Sequence, residues 1–203
     1  FFALASGAPE RYLSANNLRV VLAQTVIVAI GAIGMTLVIV AGGIDLAVGS
    51  TIALTGVLCA LALRDGWAPS LAVLAAVATG GLVGLVSGLA ITRLRVVPFI
   101  ATLAMFSIAR GLALLLNDKL PVSLLDLNGG SFGDPAPFSL LWFGTGRILG
   151  IPVSVYVFIL ITIAGWVVLN RTRYGRFVVA VGGNREAARV AGVEGALLVG
   201  PAV

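Results

Sequence analysis

The chain of 203 residues has no histidine, a single cysteine (Cys59), a single lysine (Lys119) and only 10% charged residues, against the roughly 25% usual in a globular domain. Each shortage removes a class of function. With one cysteine and no histidine, disulfide frameworks and the usual zinc and non-haem iron sites lack ligands. The same absence removes the usual base that activates a nucleophilic serine. No G-x-x-x-x-G-K-[ST] phosphate loop occurs, which excludes ATP hydrolysis by that route. Too few charges remain to cover the surface of a water-soluble core, so disorder and coiled coil are excluded along with an ordinary soluble domain.

What the chain does contain is apolar. Sixty per cent of residues are hydrophobic, 26 are glycine, and the mean hydropathy is +1.12. Lipid is the solvent that such a composition requires, and glycine is more frequent in membrane helices than in soluble ones. About 20 helical residues span about 30 Å of hydrocarbon. Five runs of about that length occur, at residues 18–40, 46–63, 71–90, 96–116 and 153–169, and a sixth begins at Ala196. The expected fold class is an all-α polytopic membrane protein, a single transmembrane domain that reads as an interior fragment of a longer chain. The break between the first two runs is short, leaving one long bent element as an alternative.

Arginine and lysine in short loops favour the cytoplasmic side. Residues 171–189 hold five arginines (Arg171, Arg173, Arg176, Arg185, Arg189) and one acid, Glu186. That segment is expected in the cytoplasm. One span earlier, residues 117–150 hold Lys119 and Arg147 against Asp118, Asp126 and Asp134, the balance expected outside. Arg93 and Arg95, with no acid, return the chain to the cytoplasm, which makes the Arg64-Asp65 turn external. The net charge of +5 and pI near 10.4 therefore follow from membrane topology, and no nucleic-acid partner is implied.

Three constellations stand out. Ala72, Ala76, Gly80, Gly84 and Gly88 recur every fourth position, a ridge that lets two helix backbones approach closely in lipid. In Gly42-Gly43-Ile44-Asp45-Leu46-Ala47-Val48-Gly49-Ser50 two glycines loosen a helix, and a carboxylate follows near membrane depth. Asp45 either caps the next helix or borders a transport pathway; the two roles are compatible, because open backbone at depth must be buried in protein or line a cavity. The third is Thr172-Arg173-Tyr174-Gly175-Arg176, then residues 182–192. There Asn184 is a good N-cap, Glu186 suits the first turn and Gly192 can end a short cytoplasmic helix. About two turns long, that helix needs a docking surface to be ordered; anionic lipid is one such surface and a protein partner another.

These residues carry a resemblance. Gly34-Met35-Thr36-Leu37-Val38-Ile39, the Gly42 to Ser50 string, Pro98-Phe99-Ile100-Ala101-Thr102-Leu103, Arg110-Gly111, and Tyr174-Gly175-Arg176 through Gly182-Gly183-Asn184 to Ala187-Ala188 resemble the permease subunits of bacterial ABC importers for ribose, xylose and related monosaccharides. The similarity covers nearly the whole chain in order, and departs from the family at Asp118-Lys119-Leu120-Pro121. It implies a permease of about ten spans working as a pair in the inner membrane, fed by a periplasmic sugar-binding protein and driven by a separate ATP-binding subunit, with no cofactor of its own. It also implies site residues: Gly42, Gly43, Asp45, Ser50, Phe99 and Thr102 along the transport pathway, and Tyr174, Gly175, Arg176, Gly183, Asn184, Arg185, Glu186, Ala187, Ala188, Arg189 and Gly192 at the ATPase-coupling segment.

Other readings compete with it. A permease for branched-chain amino acids or a furanone signal is the nearest, and an ion-coupled secondary transporter is the rival from another class. Ion coupling usually places several ionisable groups inside the bundle, whereas only Asp45 and Arg110 come near. An intramembrane enzyme is disfavoured, since no second carboxylate lies near Asp45 for acid and base work.

Overall fold

The computed structural model describes residues 13–117 and 146–193, together with Trp142 and Gly144. Helix α1 is Ala15–Val40, α2 Val48–Arg64, α3 Pro69–Thr92 and α4 Pro98–Leu115. A hairpin of β1 (Arg147–Ile148) and β2 (Ile151–Pro152) precedes α5 (Val153–Arg171), α6 (Arg173–Gly183) and α7 (Arg185–Val190). Helices α1, α3, α4 and α5 are long and apolar enough to cross a membrane, whereas α2 has 17 residues. The sixth run and most of the loop at 117–150 lie outside the described residues.

Prolines set two of the helix starts. Pro69 and Pro98 occupy the first turn, where the missing N–H costs nothing. The residue before each, Ala68 and Val97, is extended at ψ 137° and 131°, because proline disfavours helical backbone in its predecessor. The fourth helix therefore begins at Pro98 rather than at 96. The second begins at Val48 rather than 46, since Ala47 is its N-cap.

Within these apolar helices several hydroxyl side chains bond to their own backbone, while the Ser154 hydroxyl at the start of α5 is buried with no partner among the described residues. Thr79 donates to the Ala75 carbonyl at 2.8 Å, Ser87 to Val83 at 3.0 Å and Thr162 to Phe158 at 2.8 Å. A hydroxyl that bonds back one turn leaves no orphan donor in lipid.

The chain divides into two compact units, Phe1–Ile33 with Gly133–Trp166 and Gly34–Phe132 with Val167–Val203. In the second unit α2 packs against both α3 and α4. Its core is Leu54 against Ala109 and Ala113, with Val57, Leu58 and Val83 around them. Small residues permit this closeness: Ala109 and Ala72 are wholly buried, and a Cβ at Gly80 would lie 3.5 Å from the Thr55 methyl. Of the five small residues spaced by four, Ala72 is buried and Gly80 lies against Thr55. Gly84 and Gly88 meet nothing within 4 Å among the described residues.

In the first unit, Gly165 of α5 faces Ile33 of α1, where a Cβ would come within 3.0 Å of the isoleucine side chain. The hairpin pairs Arg147 with Pro152 and Ile148 with Ile151. Its two turn residues, Leu149 and Gly150, have φ of 52° and 78°, which defines the primed turn that suits a right-twisted ribbon. Left-handed backbone costs a leucine about 1–2 kcal/mol. The turn is held by its surroundings: Arg19 Nε donates to the Gly150 carbonyl at 3.0 Å, Tyr156 Oη to Ile148 at 3.1 Å, and the Val153 amide to Gly146 at 2.9 Å.

The seam between α2 and α4 generates a stability expectation. Leu54→Ala, at a position 3% exposed, should lower unfolding free energy by about 2–5 kcal/mol, measured by denaturation of the purified protein in mixed micelles. A loss below about 1 kcal/mol would show that the seam is loosely packed.

Candidate functional site

The break after α1 is built from backbone hydrogen bonds. Gly42, at φ +80°, donates to Ile39 at 2.9 Å, and Gly43 donates to Val38 at 2.9 Å. This pair of bonds is the Schellman motif, which needs a left-handed residue at the first position past the cap and so favours glycine. It satisfies two carbonyls that the end of α1 would otherwise leave open. The chain then runs without helix to Ala47, so the single bent element entertained from sequence does not occur.

Asp45 starts the next helix without being its cap residue. One carboxylate oxygen accepts the Ala47 amide at 2.7 Å, an Asx turn two residues wide. Ala47, the actual N-cap, has no side-chain cap bond. Its carbonyl accepts the Thr51 amide at 2.8 Å and the hydroxyls of Ser50 and Thr51, each at 2.9 Å. Ser50 is 1% exposed, so in this conformation its hydroxyl closes the turn instead of facing solvent.

Thr102 joins the break to α4. It is 3% exposed, and its hydroxyl lies 3.0 Å from the Pro98 carbonyl, 3.3 Å from Phe99 and 3.3 Å from Ile44 in the break. One proton serves these three carbonyls. Gly42, Gly43, Asp45, Ser50 and Thr102 are thereby gathered at one end of the second unit. Phe99, one turn away on α4, is 47% exposed.

Helix α6 docks on the same place. Thr172 caps it, its hydroxyl oxygen accepting the Gly175 amide at 3.2 Å. Gly175, Val178 and Val181 are its buried face, leaving Tyr174 and Arg176 outward. Two glycines sit where nothing larger fits. A Cβ at Gly175 would overlap the carbonyl oxygens of Val168 and Leu169, and one at Gly182 would fall on the carbonyl of Val40. The Val40 carbonyl belongs to the last turn of α1, and Gly42 lies opposite the Gly182 backbone, with 3.9 Å from its would-be Cβ to the Gly182 Cα. The expected short helix is thus preceded by another, α6, for which the sequence analysis gives no expectation. The signal for it was present: a threonine cap followed by small and β-branched residues at 175, 178 and 181.

Helix α7 is capped at both ends. Asn184 Oδ1 accepts the Ala187 amide at 2.9 Å, while Gly192, at φ +78°, donates to Arg189 and Val193 donates to Ala188, each at 3.0 Å. This is a second Schellman motif. Ala188 is buried, and Arg185, Ala187 and Gly183 are exposed. Arg189 reaches back to Glu186 at 2.6 Å. The hydrogen bond to that carboxylate, then its charge, raises the already high pKa of Arg189. The two arginines at 185 and 189 therefore differ, one of them bridged within its own helix. Among the described residues no three of His, Cys, Asp and Glu come together as a metal site.

Span-length apolar helices, interrupted by a break whose polar groups are closed internally, define a polytopic helical membrane protein. The chain belongs to the family described as the branched-chain amino acid transport system permease component, whose profile matches residues 17–197. It is 40% identical over 192 residues to the ribose import permease protein of Escherichia coli K12, which covers 94% of this chain and 57% of that protein. The Bacillus subtilis 168 ribose import permease protein is 39% identical over 183 residues, 90% of this chain and 54% of its own. The galactofuranose transporter permease protein of Escherichia coli K12 is 38% identical over 172 residues, 85% of this chain and 47% of its own. The chain thus spans about half the length of these curated relatives. No solved structure matches it.

The glycine contact yields a paired test. Gly182→Ala should lower unfolding free energy by about 1–3 kcal/mol, because the backbone of α1 must move. Gly183→Ala, with nothing within 4 Å, should be neutral or slightly stabilising. Equal effects in mixed-micelle denaturation would show that α6 does not rest on α1.

Proposed function

We propose that the chain is part of the membrane-spanning permease subunit of an ATP-driven importer that carries a monosaccharide, ribose or a close relative, across the bacterial inner membrane. The observation that carries this reading is the 40% identity to a ribose import permease over 94% of the chain. The family description names branched-chain amino acids, yet the relatives compared above are named for sugars. ATP hydrolysis falls to a separate subunit docked at α6 and α7, sugar arrives from a periplasmic binding protein, and a second permease copy completes the path.

The geometry supports these roles in one respect above others. The end of α1, the start of α2, the start of α4 and helix α6 meet, and these are the ends that arginine placement assigns to the cytoplasm. An ATPase pushing on α6 and α7 would act on a segment seated against the Gly42 to Asp45 break. The break holds a carboxylate and backbone carbonyls, groups suited to sugar hydroxyls. Gly42, Gly43, Asp45, Ser50, Phe99 and Thr102 are its proposed pathway residues, and residues 174–176, 183–189 and Gly192 the coupling segment.

The test is uptake by cells carrying the full-length permease with its ATPase and binding protein, using labelled ribose, xylose and leucine. Sugar uptake that requires the ATPase is expected, and Asp45→Asn should slow it about tenfold or more with unchanged membrane abundance. The amide retains the bond to Ala47 and loses only the charge. Leucine uptake would favour the amino-acid reading, and sugar uptake without the ATPase would favour ion coupling.

A further inference from the structure

The hairpin before α5 places a bare leucine at a position that suits it badly. Leu149 is 94% exposed, with Ile148 at 41% and Ile151 at 42%, and it occupies the first of two left-handed turn positions, where asparagine or glycine is preferred. The backbone beneath it is not loose, because Arg19 and Tyr156 each donate to a turn carbonyl. A rigid turn presenting an apolar tip at a conformational cost needs an apolar surrounding for that tip.

The depth of the hairpin says which. β2 runs without a gap into α5, a span-length helix, so the tip lies within a few residues of where hydrocarbon begins. Its two tethers are residue types that settle at headgroup depth: Tyr156 in the first turn of α5 and Arg19 in the second turn of α1. Arg147 stands at the base of the hairpin, and no acidic residue occurs from 135 to 185, which suits lipid phosphate. The exposed apolar surface continues down α5 through Leu160 and Ile163.

We propose that the Arg147–Pro152 hairpin is a membrane-interface anchor, with Leu149 inserted at the boundary between headgroups and acyl chains and Arg147 at the phosphates. This inference rests on the membrane-protein reading alone and is independent of the transported substrate. It commits to lipid as the occupant. An external protein pocket and the chain's own residues 118–141 are the alternatives, and the experiment separates all three.

The full-length protein is reconstituted in liposomes of phosphatidylethanolamine and phosphatidylglycerol, with Cys59→Ser and one nitroxide-labelled cysteine at Leu149→Cys. Collision rates with oxygen and with a water-soluble nickel chelate are then compared, using Leu160→Cys on α5 as the lipid reference. Oxygen collisions exceeding nickel collisions about threefold or more at 149 are expected. Nickel collisions in excess would place the tip in water and overturn the proposal. Low rates of both would place it under protein and overturn it equally. Ile151→Cys gives the same readings from the neighbouring strand if the variant at 149 does not fold.

Discussion

Lipid offers no hydrogen-bond partner, so each backbone N–H and C=O at membrane depth must find its partner within the protein. The rest of this structure follows from how that requirement is met wherever a helix stops. At the end of α1 the carbonyls of Val38 and Ile39 are taken by Gly43 and Gly42. At the start of α2 the carboxylate of Asp45 takes the Ala47 amide. Between them the Ile44 carbonyl lies beside the Thr102 hydroxyl. An interrupted helix is thereby compatible with an apolar surrounding, and an interrupted helix is the kind of place where a polar solute can meet backbone groups.

Glycine serves two separate ends here. At Gly42 and Gly192 it supplies left-handed backbone for a helix stop. At Gly175 and Gly182 it supplies absence of volume, letting α6 lie against carbonyls at the ends of α5 and α1. The second use ties α6 to the break by backbone contact, without a side chain to flex between them. Gly42 thus lies against α6 on one side, and the Ile44 carbonyl beside it lies next to Thr102 on α4.

The apolar helices were legible because length and hydropathy alone identify them, and the break was legible because paired glycines and a carboxylate are unusual at that depth. Their boundaries were less so: Pro69 and Pro98 mark helix starts more sharply than the apolar runs do, since the residue before each is pushed out of helical backbone. Helix α6 is not evident from the sequence because glycine is a poor helix former, although Gly175 and Gly182 are contact positions. The hairpin was missed because Leu-Gly is not a preferred turn pair, and tertiary bonds from Arg19 and Tyr156 hold it. The pairing of Thr102 with Ile44, 58 residues apart, is a property of packing that no local pattern encodes.

The break between α1 and α2 is a closed, hydrogen-bonded structure and not a loose linker. Amide hydrogen exchange of the full-length protein in lipid nanodiscs, read at single-residue level, tests it most directly. The amides of Gly42, Gly43 and Ala47 should exchange as slowly as those in the body of α2. Exchange at the rate of an open turn, as at unbonded surface amides, would contradict it.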